Sequence, residues 1–290
     1  MTASTAYSRD LGDELRRLRE TCTGLSGNKL AEKLGWDPSK VSTVEHGKAR
    51  ASEIDLIQYL SMCGKDIDFV NDFRRRYQYA FDEYIVQVSG NLRTVAMAES
   101  TAMAITSYSP QSIPGLVQIP EYADGLYRMT GVVTEERIPA LVQFRTDRQT
   151  ILRRHDRPTC LFYIHEHALQ LQVGSSAIME DQYARLLFDT HTIRIVSADA
   201  PVAATGCVLW EYEKSRPIVF SETNLAKVFV QDPGAIARTR LLFDRLDEVA
   251  LSAEQSRSKL AEYVSRPRED FDDSGPHLAQ EQPQRRHRGR

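Results

Sequence analysis

Apolar residues fall at Leu30, Ala31 and Leu34, the spacing of one buried helical face. They stop one position before Gly35, a residue free to take the left-handed backbone that closes a helix. Trp36-Asp37-Pro38 then restarts the chain. An aspartate side chain can accept from the unpaired amides of a first turn, and proline suits the first helical position because it lacks the N–H that would go unbonded there. The pattern therefore predicts a second short helix from Pro38, with Val41, Val44 and Glu45 inward, Ser39, Lys40, Ser42 and Thr43 outward, and Gly47 at its end. Leu11, Leu15 and Leu18 before this unit, and Ile54, Ile57 and Leu60 after it, predict flanking helices whose apolar faces close a small globule. Glu45 lies on the inward face, where a carboxylate alone would carry a large desolvation cost, so it needs a cation.

Further along, Ile67 to Val88 keeps helical apolar spacing with many aromatics and predicts connecting helices over residues 66–100. Arg74-Arg75-Arg76 within it reads either as a phosphate patch or as solvated, helix-pairing charge. From Ala102 the period shortens. Strands are predicted at 103–109, 160–165, 192–196, 205–212, 217–221 and 226–230. Helices are predicted at 134–154, 176–189, 234–250 and 253–264. Single helices alternate with strands early and strands run consecutively later, which predicts an α+β domain with a mostly antiparallel sheet over residues 101–265. Ile236, Leu241, Leu242, Leu246, Val249 and Leu251 on the closing helices could serve that core or a subunit interface. Residues 1–8 and the Pro-, Gln- and charge-rich tail 266–290 bury too little apolar surface to offset ordering and are expected to be disordered.

Leu11 to Cys63 resembles the helix-turn-helix domain of phage repressors, Cro and the xenobiotic-response-element regulators. The pattern is carried by Leu30, Ala31, Gly35, Val41, Ser42, Val44, Glu45 and Gly47. The resemblance implies a five-helix, all-α DNA-binding domain over residues 9–65 whose second motif helix enters the major groove. Ser39, Lys40, Ser42 and Thr43 would then face DNA, Asn28 and Lys29 would reach phosphate, and Lys48 would contact DNA beside the motif. It also implies that Arg19 is the cation for Glu45, although the loop Thr21-Cys22-Thr23 reads as one residue longer than usual. The rest of the chain has a second resemblance. Ser109-Pro-Gln-Ser-Ile-Pro-Gly-Leu-Val-Gln118, Arg145-x2-Arg-Gln149 and Trp210-Glu-Tyr-Glu213 are similar to the C-terminal domain of unknown function in many actinobacterial helix-turn-helix regulators. That implies an antitoxin-like transcriptional regulator whose C-terminal domain binds a small protein encoded nearby. A small-molecule pocket in the same domain is the alternative.

Composition narrows these readings. With 290 residues and 41% hydrophobic content the chain can hold two cores. A net charge of −3 does not argue against DNA, because Lys29, Lys33, Lys40, Lys48 and Arg50 are concentrated in or beside the motif and affinity depends on the local field. The four cysteines are far apart in sequence, so neither a zinc site nor a disulfide scaffold is expected. His165 and His167 share one side of a strand without a readable third ligand, and Glu211 and Glu213 read as solvated. No nucleophile elbow, P-loop or dinucleotide fingerprint occurs, so neither an enzyme nor a cofactor is expected. With no signal peptide and no apolar run of spanning length, the protein is expected in the cytoplasm, on double-stranded DNA and off the membrane. One reader of this size covers half an operator, which leaves a homodimer open.

Overall fold

The computed structural model describes residues 4–82, 84–87, 93–189, 192–223 and 226–265. The expected tail 266–290 lies outside them. Five helices open the chain: α1 (Ala6–Thr23), α2 (Gly27–Leu34), α3 (Pro38–Glu45), α4 (Glu53–Met62) and α5 (Ile67–Tyr77). Each starts where a short polar side chain accepts from the first turn: Thr5, Ser26, Asp37, Ser52 and Asp66.

Three sequence expectations change here. Disorder through residue 8 does not hold for the described part, because Thr5 and Ser8 form a reciprocal capping box and are buried. Thr21 to Thr23 is not a loop but the last turn of α1, which closes at Gly24 with φ +64°. The third is the buried face of α4, which is rotated from the Ile54/Ile57/Leu60 stripe to Leu56, Tyr59, Leu60 and Cys63, leaving Ile54 68% exposed. The Tyr59 hydroxyl accounts for the rotation, since it donates inward to the Leu15 carbonyl at 3.1 Å and to Glu45 at 2.6 Å. Arg74 and Arg76 pair with Glu53 of α4 and Glu14 of α1 as helix-pairing charge, while Arg75 is exposed and pairs within α5 to Asp72.

The connecting region is not wholly helical. Strand β1 (Tyr84–Gln87) joins the sheet before α6 (Arg93–Ser100). Val86 is exposed and Ile85 buried, so the β-period wins over the helical spacing once a sheet edge is within reach. Next come β2 (Ala104–Ser109), α7 (Pro120–Thr130), α8 (Ile138–Arg148), β3 (Thr159–His165), α9 (Glu166–Gln170) and α10 (Ser176–Phe188). The described residues continue with β4 (Ile193–Val196), β5 (Cys207–Glu211), β6 (Ile218–Glu222), β7 (Lys227–Val230), α11 (Pro233–Val249) and α12 (Ala253–Val264). The long helix expected over 134–154 is α8 flanked by 3-10 turns at Glu135–Arg137 and Gln149–Arg153.

The seven strands of the described residues form one mixed sheet in the order β1-β7-β6-β5-β2-β3-β4. The β2–β3 and β3–β4 pairs are parallel and the others antiparallel, so the sheet is mostly antiparallel as the strand run implied. Each parallel pair needs a crossover, supplied by α7 and α8 between β2 and β3 and by α9 and α10 between β3 and β4. One sheet face buries Trp210, Phe220 and Phe229 in the main core. Against the other, α11 buries Ile236, Phe243 and Leu246 on Tyr108, Tyr163 and Leu209. Of the closing-helix residues, Ile236 and Leu246 are core and Leu241 faces solvent.

Candidate nucleic-acid interface

The turn between α2 and α3 follows from two residues. Gly35 takes φ +66° and returns its amide to the Ala31 and Glu32 carbonyls, and Asp37 accepts from the Ser39 amide at 2.7 Å. Those bonds to Ser39 hold the Asp37 carboxyl below the ordinary aspartate range. Val41 and Val44 seat α3 in the core. Ser39 and Ser42 point outward and are exposed, as are Asn28 and Lys29 at the start of α2 and Lys48 beyond α3. Thr43 is half-buried and donates to the Lys40 carbonyl at 3.1 Å.

Lys40 sits on the same helix but is not free. Its Nζ lies 2.6 Å from Asp55 Oδ1 and 4.2 Å from the centre of the Trp36 ring. Burial works against the Asp55 charge, but Lys40 and the Ser52 cap bonds outweigh it and hold the carboxyl low. The face thus offers two exposed serines, with Ser42 Oγ 3.5 Å from His46 Nδ1 and Ser39 bonded to Asp37, and one lysine clamped by an acid, flanked by Lys29 and Lys48. Sequence spacing could not reveal the clamp, because Asp55 lies on a different helix.

The end of α3 is fixed by a buried charge network. Arg19 grips Glu45 with two bonds, Nε to Oε1 at 2.7 Å and Nη2 to Oε2 at 2.8 Å, and its Nη1 donates to the Leu25 carbonyl at 2.8 Å. Tyr59 donates to the same carboxylate, so α1, α3 and α4 meet on one residue. Burial and the adjacent carboxylate raise the Tyr59 phenol far above its ordinary value, while the Glu45 bonds keep Arg19 protonated. Such a bidentate, fully bonded pair offsets the desolvation that a lone carboxylate could not.

Two glycines let α1 approach this end more closely than any side chain would allow. A Cβ on Gly12 would fall 2.6 Å from the Glu45 carbonyl, and one on Gly47, at φ +61°, 2.3 Å from the Ser8 carbonyl. Ser8 Oγ donates to the Gly47 carbonyl at 2.8 Å. Sequence reading missed Gly12, Ser8 and Tyr59. The available signal was a glycine inside an otherwise leucine-rich helix.

The other sequence candidates do not assemble a site. His165 caps α9 and its ring lies 4.4 Å from that of His167, but among the described residues no group of three or more metal-ligating side chains occurs. Glu211 pairs with Arg240, and Glu213 is exposed. The C-terminal motif residues are brought together as a polar knot. Arg145 donates to Gln118 at 2.5 Å and to Tyr127 at 2.7 Å, Arg148 grips Glu99 with two bonds, and Gln149 donates to the Gln118 carbonyl. An open groove of about 400 Å³ lined by Lys33, Leu34, Gln58, Ser61 and Met62 lies on the helical head. Among the described residues no helix is long and apolar enough to cross a membrane.

Comparison with known families gives two matches. A helix-turn-helix domain matches residues 10–69, and a domain of unknown function, DUF5753, matches residues 92–262. No curated protein and no solved structure matches the chain.

Proposed function

We propose, from the premise that this chain belongs to the DUF5753 family and carries a helix-turn-helix domain ahead of it, that it is a sequence-specific transcriptional regulator and not an enzyme. The observation that carries the reading is the α3 surface. It is a short helix with small hydroxyl side chains outward, locked from behind by Arg19, Glu45 and Tyr59, and flanked by Lys29 and Lys48. Short polar side chains can reach base edges in the major groove, and flanking lysines can hold phosphate.

The finer parts of the proposal concern control. The C-terminal domain takes the regulatory input from a small protein partner, in the manner of an antitoxin-like regulator. Tyr84 and Val86 support a protein surface there, both exposed on the edge strand and aligned with the half-buried Val230 and Val228 on the same sheet face. A head of this size reads about half an operator, so a homodimer on paired half-sites in the cytoplasm is the proposed working form.

The test is selection of bound sequences from a random duplex library by the full chain, followed by affinity measurements. Ser39→Ala with Ser42→Ala should relax preference at particular bases, at about 1–3 kcal/mol per lost base contact. Lys29→Ala and Lys48→Ala should weaken all sequences alike and each reduce the salt slope by about one. Failure to enrich any sequence, or a double serine variant with unaltered preference, defeats the assignment.

A further inference from the structure

The first helix belongs to two structures at once. Its inner face forms the rear wall of the motif. Ser8 bonds the Gly47 carbonyl, Gly12 lies against the backbone of Val44 to Gly47, and Arg19 holds Glu45. Its other face is held by the C-terminal domain. Thr94 Oγ1 donates to Asp10 Oδ2 at 2.9 Å, and Arg93 reaches Asp10 and Asp13, each at 3.2 Å. Thr94 and Asp10 are both essentially inaccessible to solvent. Closer to the start of the helix, the Ala6 amide donates to Gln231 Oε1, and Arg9 stacks over the Tyr212 ring at 4.8 Å.

The helix that carries Thr94 is in turn anchored deep in the C-terminal domain. Glu99 on α6 receives both bonds of Arg148 on α8, and the Ala98 carbonyl accepts from the Tyr212 hydroxyl at 3.1 Å. A series of contacts, joined along the helices α6 and α1 themselves, therefore leads from α8 to the end of α3. At its final step α1 meets the end of α3 backbone against backbone, beside the Ser8 bond to Gly47. At Gly12 and Gly47 no flexible side chain can absorb a displacement, so a shift of α1 must move the segment Val44–Lys48 or open its contacts. Burial pushes the Asp10 carboxyl above its ordinary range, while the Thr94 hydrogen bond and the Arg93 charge pull it back.

We propose that α1 is a mechanical link through which the C-terminal domain sets the position of the recognition helix. A partner that displaces α6 would then alter DNA affinity without touching the DNA-facing surface. The assignment of α3 as the recognition helix rests on the function proposed above, whereas the physical link does not. Coupling between sites requires an element that both of them bias, and α1 is held by both.

Hydrogen exchange on the full chain without DNA tests the link. The variants are Thr94→Val, which removes the buried donor, and Arg93→Gln, a half-exposed change that keeps the fold if the first does not. The amides of His46, Gly47 and Lys48 bond back to Ser42, Val44 and Thr43 and should exchange at least several-fold faster in either variant. Those of α4 and α5 should hold their wild-type rates. Faster exchange confined to α1 and α6, with 46–48 unchanged, overturns the link whatever the chain binds. A wild-type chain that selects no DNA overturns the functional reading instead, and the rates at 46–48 still decide the link.

Discussion

At the centre of the helical head, a guanidinium, a carboxylate and a phenol meet: Arg19, Glu45 and Tyr59 are all buried, and both Arg19 and Tyr59 donate to Glu45. At the centre of the sheet domain, Trp210 is stacked with Phe220 and Phe229 at ring separations of 5.2 and 6.3 Å, and its indole Nε1 has no hydrogen-bond partner among the described residues. The first centre gains its specificity from direction. Two helices must arrive with donors aimed at a carboxylate on the third, which fixes the rotation of α4 and the end of α3. The second gains its stability from area and tolerates small changes of angle. A domain that presents one helix to a partner needs the first kind of centre, and a broad scaffold can be built on the second.

The largest expected effect lies at the charged centre. Glu45→Ala leaves Arg19 buried without its counter-charge and the Tyr59 hydroxyl without its acceptor, and should cost about 3–5 kcal/mol. Arg19→Met combined with Glu45→Leu removes both charges and should recover much of that loss, since an apolar pair of similar volume is often neutral or better. In the sheet domain Trp210→Phe strands no charge and removes an unbonded N–H, so it should cost less than Glu45→Ala. Denaturant midpoints of the four chains check the order. If Trp210→Phe proved the more damaging, the contrast between the two centres would collapse.

The same contrast marks how far the sequence could be read. In the head, local rules suffice: Gly35, Asp37 and Pro38 define the turn, and the inward position of Glu45 already demands a cation. Spacing alone mistook the face of α4, because Ile54, Ile57 and Leu60 are as periodic as Leu56, Tyr59, Leu60 and Cys63. Only the hydroxyl of Tyr59, bonded across to another helix, separates the two choices. In the C-terminal domain most strands and closing helices were legible from alternation and length. The parallel placement of β2, β3 and β4 and the recruitment of β1 to the far edge were not, since pairing over such distances leaves no mark on local periodicity. Within the candidate interface, the outward positions could be read, but the ion pair that restrains Lys40 could not.

A smaller effect separates two glycines of similar backbone. Gly47 in the head and Gly131 after α7 take φ +61° and +63°, so alanine at either meets the left-handed penalty of about 1–2 kcal/mol. Around Gly131 a Cβ would meet none of the described residues within 4 Å, whereas at Gly47 it would strike the Ser8 backbone. Gly47→Ala should therefore cost clearly more than Gly131→Ala, and should also speed hydrogen exchange in α1. Equal thermal shifts would show that α1 can retreat from α3 without cost, and would weaken the picture of a directional head.

The smallest change in stability belongs to the clamp on Lys40. The pair with Asp55 is partly solvated, and Lys40→Ala should alter stability by no more than about 1 kcal/mol. Its effect on binding should be larger and of definite sign. While Asp55 holds Lys40, that lysine contributes little positive field at the α3 surface, and the carboxylate itself repels phosphate. Asp55→Asn releases the ammonium and removes one negative charge, yet it keeps a side-chain oxygen able to accept the Ser52 amide bond that now goes to Asp55 at 3.0 Å. Affinity for the selected duplex should rise and its dependence on salt should steepen by about one counterion, as expected for one added phosphate contact. Wild-type affinity and slope in Asp55→Asn would mean that Lys40 points away from DNA even when free, leaving Ser39, Ser42, Lys29 and Lys48 to carry the interface.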